Sequence, residues 1–148
     1  MSTKLILDQE SMNANFFANT RLLGVMAPLK NYYFCWQLNN VLGIKFRLNN
    51  DLEMKARRKN RNYFYNVYEW GEPGSFLSHY LYHNQNDGEY LLSEFKNMDY
   101  IWLMKGDMVE EEKLNWFIKS IKNIDGVQLV TELSSDKIKE KNKGQIVF

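Results

Sequence analysis

The segment "MDYIWLMKGDMVEEEKLNWFIKSIKNIDGVQLVTEL", residues 98–133, contains the strand–helix–strand pattern from which the fold of this chain is inferred. Its first seven residues are mostly apolar or aromatic, which is typical of a buried strand. Gly126 then marks the end of a helix, and residues 127–133 predict a second strand. The helix between the two strands is predicted by apolar residues at helical spacing: Leu114, Phe117, Ile118 and Ile121.

Charged residues support the same helix. Three consecutive glutamates, 110–112, stand near its start, and Lys119 and Lys122 stand near its end. This distribution matches the helix dipole, which favours negative charge at the first turn and positive charge at the last. Asp107 and Glu110 have the spacing of a capping box, so we expect the helix to begin just after Asp107.

Residues 20–48 repeat this pattern. "TRLLGVM" (20–26) predicts a strand, and Pro28 suits the first turn of a helix because its missing N–H costs nothing there. Gly43 suits the left-handed position after the last turn, and "IKFRL" (44–48) predicts the next strand. Two stripes of side chains run along the predicted helix: Leu29, Tyr33, Trp36 and Asn40 on one side, and Phe34, Leu38, Val41 and Leu42 on another.

A predicted hairpin lies between the two units. "NYFYNVYEW" (62–70) and "SFLSHYLYH" (75–83) flank Pro73 and Gly74, which fit a type II turn. Further short strands are predicted at residues 3–8, at residues 89–94 and in the tail 134–148.

Together these elements predict one fold. No linker divides the chain, so we expect a single globular domain over residues 1–148. The expected class is α+β, with two β-α-β units around a β-hairpin insert and a mainly antiparallel sheet carrying helices on one face. A ferredoxin-like arrangement is the nearest named form.

The composition is that of a globular domain. Of the 148 residues, 45% are hydrophobic and 15% are aromatic, which provides large side chains for a core. No run of about 18 apolar residues occurs, and the apolar stretch at 5–7 is too short for a signal peptide. The single cysteine, Cys35, excludes an internal disulfide framework. We therefore expect a cytoplasmic protein with no membrane association.

The net charge of +1 conceals two oppositely charged stretches. Residues 20–68 contain nine Lys or Arg and two acids, whereas residues 69–112 contain two Lys and ten acids. The two stretches either form a dipolar surface or interleave and cancel locally, and the sequence leaves both arrangements open.

The segment "EMKARRKNRNYFYNVYEW" (53–70) places basic residues directly before aromatic ones. Cations that neutralise phosphates, beside rings that stack on bases, are typical of single-stranded nucleic-acid binding. The alternative is that the cations solubilise a loop and protect an edge strand, while the rings are buried. The candidate nucleic-acid or partner surface comprises Lys55, Arg57, Arg58, Lys59, Arg61, Tyr63 and Tyr65.

Three other sets of reactive side chains are candidates for catalytic or metal sites. Glu94 and Asp99, with Tyr100, form either a carboxylate pair or, as we expect, structural hydrogen bonds in a turn. His79 and His83 lie about 13 Å apart if they belong to a strand, too far to share one metal ion.

Cys35 lies mid-helix among aromatic rings, as a buried thiol would. None of the eight glycines forms a GxGxxG or P-loop pattern. We therefore expect no catalytic residue, no metal and no cofactor.

"LLSEFKNMDY" (91–100) resembles the signature of the IPExxxVDY family, a set of small bacterial proteins. Glu94, Asp99 and Tyr100 match the motif, whereas Ser93 replaces its proline, so the resemblance does not imply a rigid turn there. Other similar segments are "KLILD", "YYFCWQLNNVLGI" with "NNDLE", "YEW" and "NKGQIVF". The resemblance implies a cytoplasmic protein without an established activity or a known cofactor.

Three functions are compatible with these observations. The first, which we expect, is a non-enzymatic binding or adaptor module with a protein partner, or a homodimer in which the oppositely charged stretches face each other. The second is RNA or DNA binding through residues 55–70, and the third is an enzyme with a site near Glu94, Asp99 and Tyr100.

Overall fold

A six-stranded antiparallel sheet forms the centre of the molecule in the computed structural model, which describes residues 20–52, 54–58 and 60–138. The strand order is β10-β1-β9-β6-β5-β2. The strands are β1 (Arg21–Met26), β2 (Arg47–Leu48), β5 (Val67–Gly71), β6 (Ser78–His83), β9 (Tyr100–Lys105) and β10 (Leu129–Leu133).

The remaining elements pack on the two faces of this sheet. They are the helices α1 (Asn31–Leu42) and α2 (Glu111–Lys122), the hairpin β3 (Met54–Arg58) with β4 (Arg61–Tyr65), and the small hairpin β7 (Gln85–Asn86) with β8 (Glu89–Tyr90). Short 3-10 turns lie at Asn50–Leu52, Ser93–Phe95 and Ser135–Lys137. Within the described residues, neither helix combines the length and the apolar character needed to cross a membrane.

The topology confirms the predicted α+β class. The units β1-α1-β2 and β9-α2-β10 enclose the β5–β6 hairpin, and every strand pair in the sheet is antiparallel. Without that hairpin the order is β10-β1-β9-β2, which is the order of a ferredoxin-like split β-α-β arrangement. The hairpin is therefore an insertion that widens the sheet.

Both helices cover one face of the sheet. Successive side chains of a strand point to opposite faces, so β9 directs Tyr100, Trp102 and Met104 toward the helices. These residues pack with Phe34 of α1 and Phe117 of α2 in the larger apolar cluster. This face is where most of the aromatic content is buried.

The opposite face is covered as well. The alternate residues of β9, Ile101 and Leu103, pack under the β3–β4 hairpin and under Leu91, Leu92 and Phe95 of the following loop. Because both faces are buried, β9 is an almost continuous apolar strand. The sheet therefore separates the two apolar clusters, one on each of its faces.

Several predicted strands are shorter in the structure. The predicted strand 62–70 is broken at Asn66, because β4 leaves the main sheet to pair with β3. The strand expected at 44–48 is reduced to β2, and the strand expected at 89–94 is reduced to β8. The strand expected at 3–8 and residues 139–148 of the tail lie outside the described residues.

A side chain of α1 binds the backbone just before β2. Asn39 of α1 accepts a hydrogen bond from the Phe46 N–H at 2.8 Å and donates one to the Phe46 carbonyl at 3.1 Å. The Asn49 N–H donates to the Val67 carbonyl at 2.9 Å, so residues 47 and 49 bond to β5 in this register and the backbone groups of residue 46 point away from it. Asn39 therefore satisfies backbone groups on the outer side of the edge strand.

Both helices begin later than predicted, and α1 ends at the predicted position. The predicted capping box at α2 is wrong: Asp107 accepts from the adjacent Met108 N–H, and α2 begins at Glu111 without a side-chain cap. Pro28 lies before α1, which begins at Asn31. Gly43, with φ of 69°, confirms the predicted left-handed position after α1. Gly126, with φ of 92°, lies four residues beyond the end of α2.

Candidate functional site

The outward face of α1 carries exposed aromatic rings. The exposed fractions are 63% for Tyr32, 41% for Tyr33 and 59% for Trp36. None of the twelve residues of α1 is charged. The face that a surface helix usually fills with charged groups is therefore aromatic and neutral in this protein.

The second helix extends this surface. Trp116 of α2 is 50% exposed, and Glu112 and Lys119 on the same side of the helix are also exposed. Gly126 after α2 lies against Leu29 before α1, so the end of one helix is beside the start of the other and the two run antiparallel. We call the outward faces of α1 and α2 the helical surface.

The hairpin β3–β4 presents a different surface from the one predicted. Tyr63 and Tyr65 are 7% and 1% exposed, because they point into the cluster beneath the hairpin. Their assignment to an exposed ring surface is therefore wrong. The exposed ring of this strand is Phe64, at 48%, and it lies directly opposite the exposed Lys55.

The basic residues of this hairpin are only partly grouped. Arg57 lies on the outward face two residues beyond Lys55. Arg61 lies near the tip, 3.2 Å from Asp87 and 5.0 Å from the centre of the Tyr63 ring. The side chain of Arg58 and all of Lys59 lie outside the described residues.

The motif residues do not converge on one site. Asp99 accepts a hydrogen bond from the Ala27 N–H at 2.8 Å, and Tyr100 donates its hydroxyl to the Leu29 carbonyl at 2.5 Å. Both bonds hold the loop between β1 and α1 against β9. Glu94 accepts from the Ser93 hydroxyl at 3.1 Å in a separate 3-10 turn. Burial raises the pKa of Tyr100 well above its usual value, so the phenol stays protonated.

His79 belongs to a chain of buried hydrogen bonds that sequence reasoning missed. The indole N–H of Trp102 donates to His79 Nδ1 at 2.9 Å, and His79 Nε2 lies 2.8 Å from a carboxylate oxygen of Glu72. Lys113 Nζ contacts the other oxygen of that carboxylate at 2.5 Å. Because an indole N–H only donates, Nδ1 must accept and the ring proton must lie on Nε2.

The surroundings of this chain keep His79 neutral. The imidazole is fully buried, and burial lowers the pKa of His79 to about 4 against the opposing effect of Glu72. Burial alone would raise the pKa of Glu72, but hydrogen bonds from Lys113 and His79 hold it below its usual value. The arrangement links the β5–β6 hairpin to α2.

The two histidines have separate surroundings. His79 stacks on Trp70 with ring centres 4.7 Å apart, whereas His83 stacks on Tyr100 at 5.0 Å. Among the described residues, no three His, Cys, Asp or Glu side chains are grouped closely enough to hold a metal ion.

Cys35 is a buried thiol, as its position in the sequence predicts. It is 5% exposed, and burial raises the pKa of Cys35 to about 11. A thiol with that pKa is protonated at neutral pH and is a poor nucleophile. Its Sγ lies 3.8 Å from the Phe46 carbonyl.

Asn84 is a second buried polar residue that the sequence did not identify. Its amide donates to the carbonyls of Phe95 and Met98 at 3.1 and 2.9 Å, and its oxygen accepts from the Leu92 N–H at 2.8 Å. The loop 91–98 is thus built around one amide. The only available signal was an Asn directly after a strand, which is common in turns.

The clefts of the described surface are open and lined by side chains of both charge signs. One, of about 350 Å³, lies where β2 diverges from β5, between Lys45, Arg47 and Trp70. Another, of about 310 Å³, lies beside Glu94 and Lys137. Asp99 and Tyr100 do not line the cleft that contains Glu94, so these clefts do not bring the motif residues together.

Comparison with models of protein families gives no match, and comparison with curated protein sequences gives no significant similarity. The resemblance to the IPExxxVDY family therefore stays a prediction. The strongest candidate for a functional surface is assigned from geometry alone, and it is the helical surface.

Proposed function

We propose that this protein is a non-enzymatic binding module that contacts a protein partner through the helical surface. The observation that carries this proposal is the exposure of Tyr32, Tyr33 and Trp36 on a helix without charged residues. Exposed contiguous apolar surface marks interaction sites, and Trp and Tyr are the residues that most often dominate binding energy at protein interfaces.

The state of the buried polar groups supports a role without chemistry. His79, Asp99 and Tyr100 are each engaged in hydrogen bonds that join one element of the fold to another. A general acid or base must reach the substrate proton that it transfers, whereas His79 and Tyr100 are fully buried and the carboxylate of Asp99 is bonded to the Ala27 N–H. The family resemblance, which implies no established activity, agrees with this proposal, and so does the expected cytoplasmic location.

A comparison of two surface variants tests the proposal. The helical variant of the tagged protein carries Tyr33→Ser with Trp36→Ser. The matched control carries Phe76→Ser with Met108→Ser, which removes two apolar side chains from loops, where they are 86% and 73% exposed. Each is purified from its native cell after nuclease treatment. We expect the wild type and the control variant to retain the same partner protein in fixed stoichiometry. That partner can be another protein or an untagged copy of this chain. The helical variant is expected to lose the partner.

The retained protein is then identified and the complex is re-formed from purified components. A complex that forms equally well with the helical variant contradicts the proposal. Thermal melting of each variant is measured in parallel, so that loss of binding is separated from loss of folding.

A second candidate function is single-stranded nucleic-acid binding at the β3–β4 hairpin. One observation favours it: the exposed ring of Phe64 lies opposite Lys55 and on the same face as Arg57. A ring between cations can stack on one base while the cations contact the neighbouring phosphates. The buried Tyr63 and Tyr65 reduce the predicted ring surface to this single residue.

Binding of labelled single-stranded RNA tests this candidate. Phe64→Ala is expected to weaken binding by about 1–3 kcal/mol at every salt concentration. Lys55→Ala with Arg57→Ala is expected to reduce the slope of log K against log salt by about 1 for each phosphate that the variant no longer neutralises. The matched control is Lys45→Ala with Arg47→Ala, which removes two exposed cations near β2. If both double variants lose the same amount of RNA affinity, the binding depends on the total positive charge and not on the β3–β4 hairpin.

A further inference from the structure

We propose that the partner on the helical surface is a second copy of this chain, packed across a two-fold axis perpendicular to the helices. This inference rests on the proposed function and adds to it the identity of the partner. In such a dimer α1 lies on α1 of the other copy and α2 on α2, each pair antiparallel. The same residues then contribute to both sides of the interface.

The positions of the two exposed tryptophans fit this symmetry. Each helix has twelve residues, and Trp36 and Trp116 are each the sixth. Both large rings therefore lie at the middle of the helical surface, where a two-fold axis would bring each one against its own equivalent. Buried aromatic residues at the centre of an interface provide most of its binding energy.

The neutral helix α1 can pack on itself without a cost for buried charge. Tyr32 lies four residues before Trp36 and Asn40 lies four residues after it, all three on the exposed side. An antiparallel pair centred on Trp36 places Tyr32 of one copy beside Asn40 of the other. A phenol ring packed beside a small amide leaves no unpaired charge between the two helices.

The charges of α2 give the decisive argument for the antiparallel direction. Glu112 lies four residues before Trp116 and Lys119 lies three residues after it, on the same exposed side. Seven residues of helix separate them by about 10 Å, too far to pair within one helix. An antiparallel copy places Glu112 opposite Lys119 of the partner, twice per dimer.

The other two-fold arrangement lacks this complementarity. With the axis parallel to the helices, α2 would lie over α1 of the second copy, which has no charged side chain. Glu112 and Lys119 would then lose part of their hydration without gaining opposite charges. The distribution of charge therefore selects the antiparallel pairing.

The area of the helical surface indicates a reversible dimer. Two adjacent helices of twelve residues present a face about 18 Å long and about 20 Å wide. Pairing two such faces buries on the order of 1,000 Å² in total, which is the low end of specific interfaces. We therefore expect dissociation in the micromolar range rather than an obligate dimer.

Charge reversal tests the arrangement directly. Sedimentation equilibrium of the full chain is measured from about 1 to 300 μM, a range that brackets the dissociation constant expected for an interface of this size. Glu112→Lys and Lys119→Glu are each expected to weaken dimerisation at least tenfold, because each places like charges together twice. The combined variant Glu112→Lys with Lys119→Glu is expected to return within about threefold of wild type. Lys96→Glu, an exposed reversal on a loop away from α2, is the control and should leave the mass unchanged.

Photo-crosslinking identifies what contacts the surface. The crosslinking amino acid p-benzoylphenylalanine replaces Tyr32, and light- and heavy-isotope copies of the chain are mixed before irradiation. A crosslink between isotopic forms at residues 36–41 supports the inference. A crosslink within one copy to residues 1–19 or 139–148 overturns it, because the chain itself then covers α1.

The outcomes separate this inference from the proposed function. The antiparallel pairing is overturned if the protein is a monomer at all concentrations. It is also overturned if neither single charge reversal changes the dissociation constant of the dimer. If the same monomer still forms a complex with a different protein that Tyr33→Ser with Trp36→Ser abolishes, the proposed function stands and only the identity of the partner is wrong. If that complex also forms equally well with the helical variant, both the proposed function and the identity of the partner are wrong.

Discussion

The imidazole of His79 is held in one tautomer by Trp102 on one side and Glu72 on the other. Protonation would place a second ring proton against the indole N–H, so the native state opposes the charged form by geometry as well as by burial. This single residue thereby makes the stability of the β5–β6 hairpin dependent on pH.

The first prediction concerns the direction of this dependence. Burial lowers the pKa of His79 from 6.5 unfolded to about 4 folded, so the unfolded state binds more protons between these values. The contribution to stability is complete above about pH 6.5 and is lost as pH falls toward 4. We expect His79 to account for a loss of about 2 kcal/mol in the free energy of unfolding between pH 7 and pH 5.

Urea unfolding of wild type and His79→Gln at pH 7, 6 and 5 measures this effect. Glutamine can accept from Trp102 and donate to Glu72 but does not titrate, so the variant should show the flatter profile. His83, whose pKa burial also lowers, is present in both proteins and serves as a constant background. Parallel profiles would show that His79 is not held neutral.

The second prediction concerns Asn84, whose amide satisfies three backbone groups of the loop 91–98. Asn84→Ala leaves the Met98 carbonyl and the Leu92 N–H without this partner, whereas the Phe95 carbonyl still accepts from the Met98 N–H at 3.0 Å. We expect the free energy of unfolding to fall by about 2–4 kcal/mol. The exposed Asn62→Ala is the control and should change it by less than about 0.5 kcal/mol. A loss below about 1 kcal/mol for Asn84→Ala would mean that water or a rearranged loop replaces the amide.

At the scale of elements, the β3–β4 hairpin acts as a cover for the second face of the sheet. Strand β4 alternates buried Tyr63 and Tyr65 with exposed Phe64. This alternation is that of a strand with one face on a core and one in solvent. The rings that appeared suited to a binding surface are therefore mostly part of the packing.

The third prediction follows from that alternation. Tyr65→Ala removes a ring that is 1% exposed and should lower the free energy of unfolding by about 3 kcal/mol or more. Phe64→Ala removes a ring that is 48% exposed and should lower it by less than about 1 kcal/mol. Urea unfolding at pH 7 compares the two. A reversed order would mean that β4 presents its other face to the sheet.

The sequence pattern of α1 does not indicate its buried face, whereas the pattern of α2 does. In α2, charged and apolar residues alternate at helical spacing, and the apolar stripe is the buried one. In α1 both stripes contain apolar or aromatic residues and neither is charged, and the buried residues are Phe34, Cys35, Leu38 and Leu42. Packing against β1 and β9, rather than the pattern of α1 itself, determines which rings remain outside.

At the scale of the whole molecule, the two oppositely charged stretches are joined within one chain. Arg21 of the basic stretch contacts Glu111 of the acidic stretch at 2.7 Å, and Arg61 contacts Asp87 at 3.2 Å. Folding therefore interleaves part of the opposite charge. This charge pairing within the chain leaves less unpaired charge for a dimer in which the two stretches face each other, and the helical surface is the interface that we propose instead.

The fourth prediction concerns Arg21, which ties three distant elements together. Its guanidinium reaches Glu132 of β10 at 2.8 Å, Glu111 of α2, and the Val109 carbonyl at 3.0 Å. Arg21→Lys keeps the charge but cannot make these bonds together. We expect a loss of about 1 kcal/mol in the free energy of unfolding, because the carboxylates are partly exposed and screened by solvent.

The control for Arg21→Lys is Arg47→Lys, at an exposed position on the edge strand β2. It should leave the urea midpoint unchanged. Equal midpoints for both variants would show that the Arg21 bonds contribute no net stability, as is common for exposed ion pairs.

Local patterns made the main elements predictable. The strand 20–26, the helix with Leu114, Phe117 and Ile121 on its buried face, and the glycines 43 and 126 were all identified from spacing and conformational preference. The predicted start of α2 failed because the carboxylate of Asp107 bonds the adjacent N–H of Met108. The bonds between Asn39 and the Phe46 backbone could not be predicted, because the two residues meet only after α1 has packed.

The candidate site was less predictable than the fold. The basic–aromatic segment was visible in the sequence, but its two named tyrosines are buried. The helical surface includes Tyr33 and Trp36 of one predicted stripe, but Leu29 of that stripe packs against the core. Tyr32 belonged to neither stripe, and Val41 of the other stripe is 50% exposed. The chain of Trp102, His79 and Glu72 joins residues 7 to 30 positions apart, and it forms only when β6 and β9 pair.

The α+β class, the two β-α-β units and the helix with clean amphipathic spacing could be predicted from the residues alone, because they depend on periodicities of two and of 3.6 residues within short segments. Which aromatic rings of α1 and β4 face solvent, and which polar groups are buried together, follows only from how the elements pack. Those outcomes depend on contacts between residues far apart in the chain, and an aromatic ring satisfies a core position and an interface position equally well until the neighbouring elements have packed.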